Sequence, residues 1–195
     1  MDFKNNIILE NEVVILRPLH MEDISLLEEF SINQPELWKY SLTPANGIKN
    51  LKAYIDQALI DRQLLTSYPF IVLDKLTNRI AGSTRFYDYK KEHATIQLGY
   101  TWYGKEFQGT GLNKNCKFLL LQYAFETLEL ERVEFRADAK NTRSIAAMKS
   151  IGCIEEGILR SNCNAPQGRR DSIVLSILIN EWKHTIKDRL LAKNS

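Results

Sequence analysis

The residues best placed to do chemistry lie between Tyr103 and Ala124, in the run YGKEFQGTGLNKNCKFLLLQYA. Gln108-Gly109-Thr110-Gly111 is a glycine-broken loop that leads straight into an amphipathic stretch. Residues 94–102, ATIQLGYTW, precede it and are patterned as a strand. Strand, glycine loop and helix in that order make an anion cradle. The glycines let the main chain approach a ligand, and the first helical turn offers unpaired N–H groups at the positive end of the dipole. The expected ligand carries phosphate. The loop lacks the G-K-[ST] ending of a nucleoside-triphosphate loop and the G-x-G-x-x-G of a dinucleotide loop, and it does not open the first βα unit as a dinucleotide site would. Taken alone it fits a tight turn as well as a ligand cradle.

Carboxylates that could move a proton are Asp88, Glu92, Glu134 and Asp138. In a strand over residues 132–138, Glu134, Arg136 and Asp138 share one face, opposite Val133, Phe135 and Ala137. That face reads either as a catalytic surface or as a solvated ion-pair ladder. Cys116 falls in the first or second turn of the helix after the glycine loop, where a thiol pKa can drop; it also lies on the apolar stripe, which favours burial. The three cysteines and three histidines are scattered, with no C-x-x-C pair, so neither a disulfide framework nor a metal site is expected.

The elements that must position these groups follow from periodicity. Residues 13–16 form a strand ending at Arg17-Pro18, and residues 21–32 a helix with Asp23 near its start. Residues 33–47, with two prolines, Trp38 and Tyr40, are irregular or form short helical turns. A second helix carries Leu51, Tyr54, Ile55, Ala58 and Leu59. Strands are expected at 69–73, 79–89 and 95–102, the first two joined by a hairpin turn over 74–78. A helix over 111–128, a strand over 132–138 and a helix over 141–151 ended by Gly152 come next. Strands at 153–160 and 171–179 are joined by a turn over 164–168, and a helix over 181–191 ends the chain. Three consecutive strands suggest an antiparallel meander, and the strand–helix–strand passage a parallel crossover. Arg169 and Arg170 sit at the last hairpin, where a solvated turn is the default and contact with an acidic partner the alternative.

Composition sets broad bounds. The chain has 195 residues, 44% apolar and 26% charged, with a net charge of +2, an ordinary globular mixture for one domain over 1–195. The charge is too small to argue for nucleic-acid binding. The polar start resembles no signal peptide, and no apolar run nears the ~20 residues that span a bilayer. A cytoplasmic protein with no membrane association is expected.

The order of motifs adds a resemblance. Val14-Ile15-Leu16-Arg17-Pro18-Leu19 before an acidic-started helix, Ile80-Ala81-Gly82-Ser83-Thr84, Gln97-Leu98-Gly99-Tyr100, Gln108-x-x-Gly111, Asn141-x-x-Ser144 followed by Ile151-Gly152-Cys153, and Arg170-Asp171-Ser172 leading to Glu181-Trp182 together resemble the GCN5-related N-acetyltransferase (GNAT) superfamily, in its RimJ/RimL-like branch. The resemblance covers about residues 13–183. It implies an α/β (α+β) fold with a mixed, mostly antiparallel sheet of about seven strands, helices on both faces, and a splay between the fourth and fifth strands.

It further implies that acetyl-CoA binds in that splay as co-substrate, with no metal. Backbone groups of Gln108, Gly109, Thr110, Gly111, Leu112 and Asn113 would hold its pyrophosphate. The edge of Leu98, Tyr100 and Trp102 would pair with the pantetheine arm, and Asn141 would bond the arm from the other side. Ser144 would lie near the thioester sulfur, as proton donor to the thiolate or as an ordinary capping residue. Asp138, at the strand end nearest the cofactor, ranks first as base. Trp38, Tyr40, Arg85, Tyr87 and Gln97 would border the amine acceptor. Two positions depart from the pattern: Asn113 replaces a small residue, and Gln97 stands where the branch carries Glu.

Gln97 bears on the acceptor. A lysine amine, with ordinary pKa ~10.4, costs about 4.6 kcal/mol to deprotonate at pH 7, an α-amine near ~7.8 only about 1. Without a strong base, a protein N-terminal α-amine is the favoured acceptor. A small amine (polyamine, amino acid, antibiotic or amino-sugar) is the alternative, and a non-catalytic acyl-CoA-binding domain a third reading. The assembly stays open, a homodimer included.

Overall fold

The computed structural model describes residues 1–192. Eight strands form one sheet: β1 (Leu9–Glu10), β2 (Val14–Pro18), β3 (Ser67–Asp74), β4 (Arg79–Lys90), β5 (Thr95–Tyr103), β6 (Arg132–Asp138), β7 (Ile154–Ala165) and β8 (Gly168–Leu178). Their order is β1-β2-β3-β4-β5-β6-β8-β7. Only β5 and β6 run parallel; every other neighbouring pair is antiparallel. The strand beyond the seven expected is β1, whose two residues pair with Leu16 and Ile15 and are too few for an alternation to register.

Helices α1 (Ile24–Asn33) and α2 (Ile48–Gln63) lie between β2 and β3 in the chain, α3 (Leu112–Gln122) makes the parallel crossover, α4 (Thr142–Ser150) follows β6, and α5 (Ile179–Glu181) and α6 (Lys187–Ala192) follow β8. β3 is buried along nearly its whole length, as expected of a strand covered on both faces. Two stretches expected as plain α-helix contain π-turns, Tyr123–Thr127 after α3 and Trp182–Ile186 between α5 and α6. Both meet at Trp182. Its ring lies 5.7 Å from those of Phe118 and Phe125, and its Nε1 donates to Glu126 Oε1 at 2.9 Å. One residue of extra slack per π-turn brings these side chains together while barely altering the apolar period. The final hairpin is longer than expected, leaving only Pro166 and Gln167 in its turn. β7 is exposed along most of its length and so shows no alternating pattern.

Two irregularities of β5 build the functional face. β5 pairs with β6 only through Thr95–Arg132, Ile96–Val133 and Gln97–Glu134. Beyond Gln97 the strands diverge, although β5 continues to Tyr103 and β6 to Asp138. Each is braced from its outer side, β5 by β4 and β6 by β8 along its full length, so the sheet opens at its one parallel joint. Secondly, Arg85 faces Gly99 and Ser83 faces Trp102, so two β5 residues oppose Thr84 alone. Tyr100 sits in this bulge at φ 50°, a conformation that costs a non-glycine residue of order 1 kcal/mol or more and re-aims its ring.

Candidate active site

A cleft of about 890 Å³ occupies the splay. At one end is the glycine loop. Gly109 and Gly111 have φ of 81° and 90°, and a Cβ on either would meet nothing within 4 Å. Glycine is therefore required by backbone angle rather than by space, and both positions face open volume. Gln108 ties the loop down: its N–H donates to Lys105 O at 3.1 Å and its Nε2 to Tyr103 O at 2.6 Å. Thr110 Oγ1 donates to Phe107 O at 2.9 Å, and Leu112 N–H reaches Thr110 Oγ1 at 3.4 Å. Among the described residues, the N–H groups of Gly109, Thr110, Gly111 and Asn113 have no acceptor. Asn113 lines the cleft; the Leu112 side chain is buried in the core.

The long walls are the diverging strands. Leu98, Gly99, Tyr100, Thr101 and Trp102 form one, Phe135 to Asp138 the other, continued by α4. Asn141 caps α4, its Oδ1 accepting Ser144 N–H at 3.1 Å. Ser144 lines the cleft, and its hydroxyl bonds to no described residue. Asp138 lines it too, with Oδ1 accepting Lys140 N–H at 2.8 Å. Glu134 instead is clamped between Arg132 at 2.8 Å and Arg136 at 2.7 Å, with Arg132 also paired to Glu156, the ion-pair reading of that strand face.

The acceptor end is aromatic. Trp38 and Trp102 are both buried, with ring centroids 5.1 Å apart. The turn that carries Trp38 is fastened to the loop before the cradle: Gln34 Oε1 accepts Lys105 N–H at 2.8 Å, and Lys105 pairs with Glu36. Tyr87 and Tyr100 pack edge-to-face at 5.1 Å, with the Tyr87 ring over Gly99. Burial raises both phenols above their ordinary pKa, which weighs against either as a ready acid at neutral pH. Tyr40 lines the same end. Arg85 does not border the cleft; it is buried behind Tyr100, stacked between that ring (4.1 Å) and Tyr54 (4.8 Å). Gln97 is on the wall, donating through Nε2 to Asp88 Oδ2 at 2.8 Å, which puts the Asp88 carboxylate beside the position where the resemblance leads one to expect Glu.

Two features stand out only in three dimensions. Lys117, on α3, lines the cleft while 5% exposed, has no acidic partner among the described residues, and donates to Thr101 Oγ1 at 2.7 Å. Burial lowers its pKa to about 8. A lone charge in the run Cys116-Lys117-Phe118-Leu119-Leu120-Leu121 is the sequence signal that marks it. Arg170 separates from its neighbour: Arg169 is exposed and bonds Ser161 and Asn164, whereas Arg170 turns into the cleft wall. Cys116 is fully buried, and its thiol is pushed up to about 12, which removes it as an acyl carrier. Among the described residues no group of His, Cys, Asp and Glu is arranged to hold a metal ion, and no helix is long and apolar enough to cross a membrane.

Comparison with known proteins matches this architecture. YdaF of Bacillus subtilis strain 168, assigned provisionally as a ribosomal N-acetyltransferase, is 30% identical over 176 residues, covering 89% of this chain and 95% of its own. A crystal structure from T. thermophilus, assigned provisionally as an acetyltransferase, superposes with a TM-score of 0.87 at 32% identity, over 96% of this chain and 97% of that one. RimJ of Mycobacterium smegmatis, solved with CoA-disulfide, shares the fold with a TM-score of 0.78 at 19% identity, over 97% of this chain and 94% of that one. The acetyltransferase (GNAT) domain model matches residues 14–154, and the chain belongs to the GNAT family of N-acetyltransferases.

Proposed function

We propose that this protein transfers the acetyl group of acetyl-CoA to the α-amine of a protein N-terminus by direct attack within a ternary complex. The observation that carries this reading is the set of four N–H groups, on Gly109, Thr110, Gly111 and Asn113, that are left without acceptors among the described residues at the mouth of a cleft whose wall is an unpaired strand edge. The four amides and the start of α3 suit a diphosphate. The free edge of Leu98–Trp102 suits the amides of a pantetheine arm, added as a strand would be. Asn141 keeps its Nδ2 free for the arm's opposite side, since only its Oδ1 is used in capping.

The residues then have defined tasks. The α-amine arrives neutral or loses its proton through water to Asp138 or Asp88, two of the carboxylates that line the cleft. Its lone pair attacks the thioester carbonyl carbon; as N–C forms and C–S breaks, the attacking nitrogen, now cationic, gives up a proton through water to the same carboxylates or to solvent, leaving the amide. The Ser144 hydroxyl donates a proton to the departing thiolate and recovers one from solvent. Leu98–Tyr100 N–H groups on the open edge serve the developing oxyanion. A glutamine at position 97 accepts no proton, so a weakly basic amine is the better acceptor. YdaF, assigned provisionally as a ribosomal N-acetyltransferase, supports the same reading, and RimJ, solved with CoA-disulfide, shares the fold.

Incubation with labelled acetyl-CoA and a mixed panel of free-N-terminus peptides, lysine-only peptides and small amines tests it. Label is expected on the free-N-terminus peptides. Label confined to metabolites would move the assignment to small amines, and tight CoA binding with no transfer would make the protein a non-catalytic acyl-CoA binder.

A further inference from the structure

Arg170 is an unusual residue for a cleft wall. It is 9% exposed; among the described residues its buried Nε has no acceptor, and its side chain's one hydrogen bond is a long 3.5 Å contact from Nη1 to Tyr40 O. It forms no ion pair among the described residues. Its near neighbour Asp171 is turned elsewhere, accepting Ser161 N–H at 2.6 Å. A guanidinium withdrawn from water without a carboxylate is strongly unfavourable unless something completes it. The same wall holds two more unsatisfied donors, the indole Nε1 groups of Trp38 and Trp102, both buried and both without an acceptor among the described residues. Three buried donors are thus left without acceptors among the described residues at this end of the cleft, where the nearby Glu36 carboxylate is already paired with Lys105.

The coenzyme's phosphates have their own donors at the glycine loop. Arg170 reaches instead the chain around Tyr40, in the aromatic end of the cleft. Gln167 of the same hairpin touches Lys39 O at 3.4 Å, so hairpin and aromatic segment close on one another there. We propose that Arg170 is an anion-recognition residue of the acceptor pocket, and that the preferred acceptor is an amine bearing a carboxylate within a few bonds of its nitrogen. This rests on the acetyltransferase reading above and narrows its substrate class. Arg pairs with a carboxylate through two parallel N–H···O bonds, which fixes orientation as well as charge. Held that way, the acceptor points its nitrogen along the cleft toward Ser144 and Asp138. An acidic first side chain of a peptide and the carboxylate of a free amino acid present the same chemistry.

The test uses acceptors that differ only in carboxylate against carboxamide. One pair is a peptide beginning with Asp or Asn; the other is glutamate or its fully amidated form. Specificity constants are measured at saturating acetyl-CoA for wild type, Arg170→Gln and Arg170→Lys, with thermal unfolding of each variant. Wild type is expected to favour the carboxylate member of one pair by about 30-fold or more, the scale of a desolvated Arg–carboxylate contact. Arg170→Gln should collapse that ratio to about threefold or less, and Arg170→Lys should fall between. Which pair responds identifies peptide or free amino acid. A wild-type ratio near one, or a ratio unchanged by Arg170→Gln, overturns the proposal, and the wild-type and lysine arms decide even where the glutamine variant is unstable. Calorimetric titration of the N-acetylated products onto wild type with CoA reads binding without turnover. Tighter binding of the carboxylated product with no transfer to any acceptor would uphold Arg170 and remove the transferase reading. Transfer without carboxylate preference would do the reverse.

Discussion

Asn141 Oδ1 accepts the Ser144 N–H at 3.1 Å, so Asn141 caps α4 and the Ser144 hydroxyl at the cleft wall has no partner among the described residues. The capping task that a serine in a first turn often performs is already filled. Ser144→Ala is therefore expected to leave folding stability within about 0.5 kcal/mol. It should lower kcat by roughly 100-fold, the lower range for loss of a general acid, with KM for acetyl-CoA nearly unchanged. Steady-state kinetics and thermal unfolding check it; a large stability loss with unaltered kcat would return Ser144 to a structural role.

Gly111 is the N-cap of α3 at φ 90°, with open space where a Cβ would stand. Gly111→Ala meets no clash but must hold alanine in a left-handed conformation, at about 1–2 kcal/mol. Relaxation of the loop away from that angle would turn the free amides from their common focus. The expected result, read from steady-state kinetics, is a rise of about tenfold in KM for acetyl-CoA, the equivalent of ~1.4 kcal/mol, with a smaller change in kcat.

Lys117 and Thr101 form the cleft's buried polar pair, Nζ to Oγ1 2.7 Å. Burial lowers the lysine pKa to about 8 from its ordinary value, so the charged form is the disfavoured one in the folded protein. Below about pH 8 the folded and unfolded chains both hold the proton, and the cost of the buried charge is fully present. Between about pH 8 and the ordinary lysine range the unfolded chain alone holds it, so stability from this group rises with pH. Lys117→Met is expected to be more stable than wild type at about pH 7 by up to about 3 kcal/mol, and the difference should shrink toward about pH 10. Denaturant unfolding at several pH values measures this. A difference that grows with pH would contradict the assignment.

Gln97 Nε2 and Asp88 Oδ2 lie 2.8 Å apart. Gln97→Glu would put two carboxyls at that distance, where both cannot ionise freely, and one pKa moves up. A new ionisation between about pH 5 and 8 should then appear in the pH profile of kcat/KM. In the wild type the profile for an α-amine acceptor should level off near pH ~8, where that amine is neutral. Profiles that superimpose would show that this pair does not face the reacting nitrogen.

Local pattern set the limit of what could be read from the chain alone. The glycine loop, the strand before it and the α3 stripe could be read directly, because turn chemistry and periodicity act within a few residues. The splay could not: Leu98–Trp102 and Arg136–Asp138 read as ordinary strand, and only the resemblance placed a cleft between them. The Tyr100 bulge was hidden for the same reason, since a tyrosine at positive φ is imposed by packing against Arg85 and Tyr87 and not by propensity. Arg170 read by default as part of a solvated turn and Lys117 drew no reading of its own; burial by residues distant in the chain is what sets both apart. Arg85, expected at the acceptor, lies one layer back, because the bulge swings Tyr100 over it. Glu134 and Asp138 share a strand face as the alternation required, yet Glu134 is clamped by Arg132 and Arg136 of its own strand while Asp138, where β6 has left β5, stands at the cleft.

Coenzyme capture by the glycine loop and the open edge of β5 is tested most sharply by a crystal structure of the complex with acetyl-CoA. The expected result is diphosphate oxygens within about 3.2 Å of the N–H groups of Gly109, Thr110, Gly111 and Asn113, with the pantetheine arm along the open edge of β5 and the acetyl group near Ser144. An empty splay at saturating acetyl-CoA, or a diphosphate seated elsewhere with those four amides unused, would contradict it.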